Sequence, residues 1–161
     1  MIDPHDAFDE FYRAHWGRLA GTLRLLSGET MTADELAQEA FTRAWVHWDR
    51  VRTMERPEGW LYVTGFRLAR RRLAREARRP LPDQVDGSFS PDVALADRVA
   101  LTDALAALPL RQRQAVVARH VLGYDGPQAA ALLGMRPAAF RQLLSRALRD
   151  LRVSPALVEE A

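Results

Sequence analysis

No cysteine occurs in the 161 residues, which removes disulfides, thiolate metal sites and thiol nucleophiles together. Lysine and asparagine are also absent and Ile2 is the only isoleucine, a bias that reflects GC-rich codons rather than design. No run approaches the roughly 18 apolar residues that would span a bilayer. The acidic start, Asp3, Asp6, Asp9 and Glu10, is wrong for a secretory leader, so a cytoplasmic location without membrane insertion is expected. His5, His15, His47 and His120 are scattered without ligand spacing, and no H-E-x-x-H pair exists, so no metal is expected. The nine glycines are dispersed rather than gathered into a phosphate-cradling loop, and no serine sits in a G-x-S-x-G setting. Asp34-Glu35 has a simpler role near a helix start, where carboxylates favour the dipole. No catalytic residue, cofactor or small-molecule substrate is therefore expected.

What is present is arginine, unevenly placed. The net charge is only +2, yet seven arginines lie between Arg67 and Arg79 with only Glu76 opposing them. Five more lie between Arg136 and Arg152 with only Asp150 opposing. Acid dominates the first turns and the stretch from Asp83 to Asp103. Two basic helical stretches on a near-neutral chain point to two contacts with a polyanion.

Apolar residues recur at helical spacing almost throughout, and nothing alternates with period two over a useful length. Phe8, Phe11, Tyr12, Leu19, Leu23 and Leu26 form one stripe, begun by Asp3-Pro4 and ended by Ser27-Gly28. Thr32 to Glu35 has capping-box spacing and opens a second helix with Leu36, Ala40, Phe41, Ala44, Trp45 and Trp48 on its apolar side. Trp45 and Trp48 read as core. After the Arg50–Arg56 connection, Pro57 leads a third helix over 58–78, whose apolar side is Leu61, Thr64, Leu68 and Leu73. Residues 79–94, with three prolines, Gly87 and two serines, have no period and read as a linker. Four more helices are expected, near 95–107, 110–122, 126–133 and 137–152. The fold class is all-α, as two small helical domains: 1–79, a flexible linker 80–97, a second domain 98–153, and a tail 154–161.

The sharpest local pattern is in the last sixty residues. Asp125 can cap a short helix, Gln128 to Leu133, and the turn Gly134-Met135-Arg136 leads to a longer helix from Pro137 through Leu151. Short helix, glycine turn and longer helix make a helix-turn-helix, whose second helix enters the major groove of DNA. Phe140, Leu144, Ala147 and Leu151, with Leu143 and Leu148 beside them, face inward. Ala138, Arg141, Gln142, Ser145, Arg146 and Arg149 stay outside, and arginine and glutamine have the chemistry to read guanine and adenine edges. Spacing alone equally allows a helical hairpin with a solvated arginine face. The basic helix 66–75, with Trp60, Tyr62 and Phe66 nearby, suits opened nucleic acid, where bases stack on rings and arginine neutralises phosphate. A solvated charge run over core aromatics fits the same residues.

The segment Ala33-Asp34-Glu35-Leu36-Ala37-Gln38-Glu39-Ala40-Phe41-Thr42-Arg43-Ala44-Trp45 resembles the polymerase-binding helix of the sigma-70 family, in its extracytoplasmic-function group of actinobacterial type. Leu108-Pro109-Leu110-Arg111-Gln112-Arg113-Gln114-Ala115-Val116 resembles the opening of that group's C-terminal domain, and the helix-turn-helix follows at the expected distance. The resemblance covers about residues 6–79 and 98–152.

It implies an RNA polymerase sigma factor built from a region 2-like and a region 4-like domain. Glu35, Leu36, Gln38 and Glu39 would dock on the clamp helices of the polymerase largest subunit, with the flap as a second contact. Arg56, Trp60, Arg67, Arg70 and Arg71 would hold the opened −10 element. Arg113, Ala138, Arg141, Gln142, Ser145 and Arg146 would read the −35 element as duplex. The acidic linker would resemble the segment that threads toward the polymerase active-site and RNA-exit channels. An anti-sigma factor is a further partner of such proteins. Similar chains carry asparagine at Arg67 and arginine or another polar residue at Leu143, and Gly126-Pro127 replaces a more ordinary helix start. Those departures leave promoter choice open. Two other readings stay beside this one: a stand-alone helix-turn-helix regulator, and a degenerate sigma-like protein that acts by titrating an anti-sigma partner.

Overall fold

The computed structural model describes residues 1–76 and 93–153, and every regular element among them is helical. Helix α1, Pro4–Ser27, starts where Asp3 accepts a hydrogen bond from the His5 amide at 2.9 Å. It stops at Gly28, whose positive φ of 73° returns its amide to the Arg24 carbonyl, a left-handed cap that glycine adopts without strain. Its N-terminal half carries Phe8, Phe11, Tyr12 and Trp16. Each of these four rings stands within 6.4 Å of the buried Phe41 ring on α2, Thr30–Val46. Its C-terminal half buries Leu19, Leu23 and Leu26.

Helix α2 begins before the expected capping box. Thr32 is inside the first turn and buried, and its hydroxyl donates to the Glu29 carboxylate at 2.8 Å rather than capping the backbone. The helix thus starts before the expected box, with the Thr32–Glu29 bond in place of a backbone cap. A single turn, α3, Trp48–Val51, follows directly. Trp48 is core, its indole donating to the Pro4 carbonyl at 3.1 Å. Trp45 is 39% exposed and covers Phe8 and His5 from outside, so only one of the two tryptophans is interior as expected.

Helix α4, Pro57–Glu76, crosses both α1 and α2. A Cβ on Gly65 would lie 3.3 Å from a Leu19 methyl, so glycine sets the close approach of α4 to α1. The expected apolar side is only half right. Leu61 and Leu68 are buried, Thr64 and Leu73 are half-buried, and Tyr62, Phe66 and Ala69 are buried on a second side. That second side is covered by the other half of the chain.

In that half, α5, Val93–Ala106, packs on α1 and starts within the expected linker, while residues 77–92 and the tail 154–161 lie outside the described residues. Helix α6, Leu110–Val116, widens into a π turn, Val117–Val121, closed by the Leu122 amide on the Val117 carbonyl at 2.9 Å. Helix α7, Gly126–Leu132, has a full capping box. The Gln128 amide donates to Asp125 at 2.8 Å, and the Gln128 side chain accepts from the Asp125 amide at 3.1 Å. Gly134, at φ 66°, makes the turn into α8, Pro137–Val153, which buries Phe140, Ala147 and Leu151. One apolar core runs from the α1–α2–α4 unit into the α5–α8 unit.

Candidate nucleic-acid and polymerase interfaces

Three surfaces collect the residues singled out in the sequence. On α2, Glu35, Gln38 and Glu39 are exposed on one side, as i, i+3, i+4 neighbours of a helix must be. Glu39 pairs with Arg43 at 2.7 Å and Glu35 with Arg72 of α4 at 3.0 Å. Leu36 does not belong to that surface. It is 3% exposed and faces the core, because its position on the α2 wheel is shared with Ala33, Ala37 and Ala40. Its part is to hold the helix in place.

The second surface is a cleft of about 470 Å³ between the end of α2, α3 and the start of α4. Trp60, Arg67 and Arg71 line it, together with Arg43, His47 and Arg50, which the sequence reading missed. The last three recur at i, i+4 and i+7, so a common face was legible. The His47 and Trp60 rings are 6.1 Å apart between centroids. The cleft joins a flat ring to four guanidinium groups, which suits an unstacked base with its flanking phosphates.

Arg56 and Arg70 are not in the cleft. The Arg56 guanidinium lies 5.7 Å from the centre of the Tyr124 ring and pairs with Glu58 at 3.4 Å. Arg70 points toward the second half, where its charge, after desolvation, contributes to pushing the Arg111 pKa down. Tyr62 and Phe66 are likewise not stacking platforms. Both are buried, and burial pushes the Tyr62 hydroxyl up to about 12, with no hydrogen-bond partner for it among the described residues.

The third surface is a shallow open groove of about 370 Å³ on α8, formed by Ala138, Arg141, Gln142, Ser145 and Arg146 with Arg149. The helical stripe makes this face unavoidable: burying Phe140, Ala147 and Leu151 turns these side chains outward. Leu143 is half-buried, so its departure from a polar residue has a packing reason. Arg113 is elsewhere. Its guanidinium donates to the Leu108 carbonyl at 3.1 Å and to the Leu26 carbonyl on α1, and burial pushes its pKa down. Among the described residues, Arg67, Arg71, Arg141 and Arg146 form no ion pair, so their charge is available to a ligand. Among them, too, no cluster of metal-ligating side chains occurs, and no helix is long and apolar enough to cross a membrane.

Comparison with known proteins agrees with this geometry. The family model for sigma-70 region 2 matches residues 11–79, and that for sigma-70 region 4 matches residues 98–151. The RNA polymerase sigma-E factor of Streptomyces avermitilis is 31% identical over 151 residues, which cover 90% of this chain and 83% of the relative. The ECF RNA polymerase sigma factor SigL of Mycobacterium tuberculosis is 29% identical over 141 residues, 80% of this chain and 77% of that one. Two solved structures share the fold, each with a TM-score of 0.67. CnrH in complex with the cytosolic domain of CnrY is 23% identical, covering 97% of this chain and 90% of its own. The sigma factor RpoE of Bartonella quintana, in complex with the anti-sigma factor NepR, is 21% identical, covering 91% and 94%. Regions 2 and 4 matched in that order, with relatives covered over most of their length, show that the chain belongs to the extracytoplasmic-function group of the sigma-70 family, the RNA polymerase sigma factors that direct promoter-specific transcription initiation.

Proposed function

We propose a division of labour among the three surfaces. The exposed side of α2, Glu35, Gln38 and Glu39, docks on the clamp helices of the polymerase largest subunit, and the α5–α8 unit meets the flap. The cleft of Trp60, Arg67 and Arg71, extended by Arg43 and Arg50, holds the opened −10 strand. The α8 groove reads the −35 duplex. An anti-sigma factor would compete for these faces. The protein works in the cytoplasm, beside polymerase and promoter, and has no catalysis of its own.

The observation that carries this reading is the contrast between two arginine surfaces. One is recessed and holds an indole, the other is a helix face with Ala138 at its start. A recessed ring fits a flipped base, whereas a helix face with a small residue fits a groove. A polymerase-docking side on α2 is what a stand-alone repressor would not need.

Run-off transcription with purified core polymerase, on a promoter library with and without this protein, tests the whole reading. New specific transcripts are expected; core binding without any transcript would point instead to a degenerate factor. A finer check uses Arg141→Ala. If Arg141 makes a bidentate base contact, the loss is about 1–3 kcal/mol on the best −35 sequence, with relaxed preference at one position. Equal loss on every sequence, measured by competition binding, would reduce Arg141 to a phosphate contact.

A further inference from the structure

Between α4, α6 and the end of α7 lies a small cavity of about 120 Å³, and its polar lining is one-sided. Helix α4 gives it Arg67 and Arg70, which share a helix face at i, i+3, and α6 gives it Arg111. The acceptors on its wall are already engaged. The Phe66 carbonyl receives the Gln114 amide at 3.1 Å. The Leu133 carbonyl and the Gln114 side-chain oxygen both receive Arg111, at 2.9 Å and 3.2 Å. Among the described residues, no Asp or Glu lines the cavity, and Arg67 and Arg70 form no hydrogen bond or ion pair. A guanidinium is a fork of N–H donors with no acceptor of its own. The cavity is therefore rich in donors and positive charge, with nothing on its wall to answer them.

Two of these cations also work against each other. After desolvation, it is the Arg70 charge that pushes the Arg111 pKa down. Arginine does not shed its proton at any ordinary pH, so an anion is what relieves the conflict. Size narrows the choice of anion. The cavity is well below the about 300–1,000 Å³ of a pocket that encloses an organic ligand, unlike the Trp60 cleft at about 470 Å³. Guanidinium forks converging from two helices match the oxygens of a tetrahedral phosphate, which they bind in pairs.

We propose that this cavity binds one phosphate group, carried by inorganic phosphate or by the end of a small phosphomonoester, with Arg67, Arg70 and Arg111 as its ligands. A dianion there turns the repulsion of Arg70 and Arg111 into a shared bridge between α4 and α6. A backbone phosphodiester fits less well, because it carries a single charge and brings a sugar on each side. The site is separate from the Trp60 cleft, although Arg67 borders both. It goes beyond the sigma-factor reading and does not depend on it.

Calorimetric titration of the full-length protein with inorganic phosphate, at an ionic strength held by chloride, tests the site. One phosphate per chain is expected. Arg70→Gln removes a charged donor without breaking a bond among the described residues, and should weaken phosphate about 10- to 100-fold. In chloride alone the same variant should melt no lower than the parent, because it removes a repulsion. Phosphate also stabilises proteins generally by its exclusion from their surface, and the melting gain left in Arg70→Gln measures that background. Arg71→Gln, which lines the Trp60 cleft and not this cavity, should bind phosphate as the parent does. Glycerol 3-phosphate and dimethyl phosphate separate the sources: the monoester should bind and the diester should not. No binding of phosphate by the unmodified protein, or equal binding by Arg70→Gln, would overturn the site. Loss in Arg71→Gln alone would put the anion in the Trp60 cleft and overturn it too. A lower melting point of Arg70→Gln in chloride would show that Arg70 holds the fold and would overturn the charge conflict. Dimethyl phosphate binding as well as inorganic phosphate would make the ligand a nucleic-acid backbone and overturn the monoester.

Discussion

Replacing Gln38 and Glu39 together by alanine should abolish binding to core RNA polymerase and leave the fold intact. Both side chains are exposed on α2, and neither touches the core. The double change removes the Glu39–Arg43 ion pair at 2.7 Å, whose partners are both about half exposed, and a surface i, i+4 pair contributes only a few tenths of a kcal/mol. Alanine is the best helix former, so α2 itself gains slightly. Binding should change far more. Two central contacts at about 2 kcal/mol each weaken an interface by roughly a thousandfold. Fluorescence anisotropy with core polymerase reads the loss, and circular dichroism reads the fold. An unchanged dissociation constant would remove α2 from the docking surface. Leu36→Ala is the informative contrast: it should weaken docking only by destabilising the helix behind it, because Leu36 is itself buried.

Phe41→Ala should be the most damaging single core change, costing about 3–5 kcal/mol. The ring is 1% exposed and is met by Phe8, Phe11, Tyr12 and Trp16, so its removal opens a cavity between α1 and α2. Those rings sit on a long helix that cannot collapse inward without leaving Leu19 and Leu23, so the cavity would be only partly filled. Small domains are stable by only about 5–15 kcal/mol, so the loss is a large share of the total. Urea unfolding followed by circular dichroism measures it. A loss below about 1 kcal/mol would mean that the aromatic cluster repacks freely and does not hold α1 to α2. Trp45→Ala, at the exposed edge of the same cluster, should cost much less.

The helix-turn-helix is legible in a short stretch of chain. Asp125 and Gln128 cap each other, Gly134 makes the turn, and Phe140, Ala147 and Leu151 fix which way α8 faces. Once that stripe is buried, the α8 surface from Ala138 to Arg146 follows from the 3.6-residue period alone. The exposed side of α2 follows in the same way, with Leu36 as the exception, because a motif matched as a continuous segment does not separate the outward positions from the inward ones.

What periodicity could not decide was any position with two neighbours. A stripe argument assigns each helix one buried side, but α4 has two: Leu61 and Leu68 belong to the first unit, while Tyr62 and Phe66 are covered from the second. That is why two aromatics that looked available for stacking are interior. Arg56 and Arg113 turn away from the two arginine surfaces for a related reason. A guanidinium goes where an acceptor or a ring is, and Leu26 and Tyr124 are far in the chain from the arginines they receive. Thr32 differs for a local reason, its hydroxyl bonding the Glu29 carboxylate three residues before it where a backbone cap was expected. The helices and the outward face of α8 are therefore properties of local sequence, because each depends on residues within one or two turns of each other. Which arginines remain free, and which close the two halves together, is a property of the folded chain, because their partners are carbonyls and rings that folding brings near.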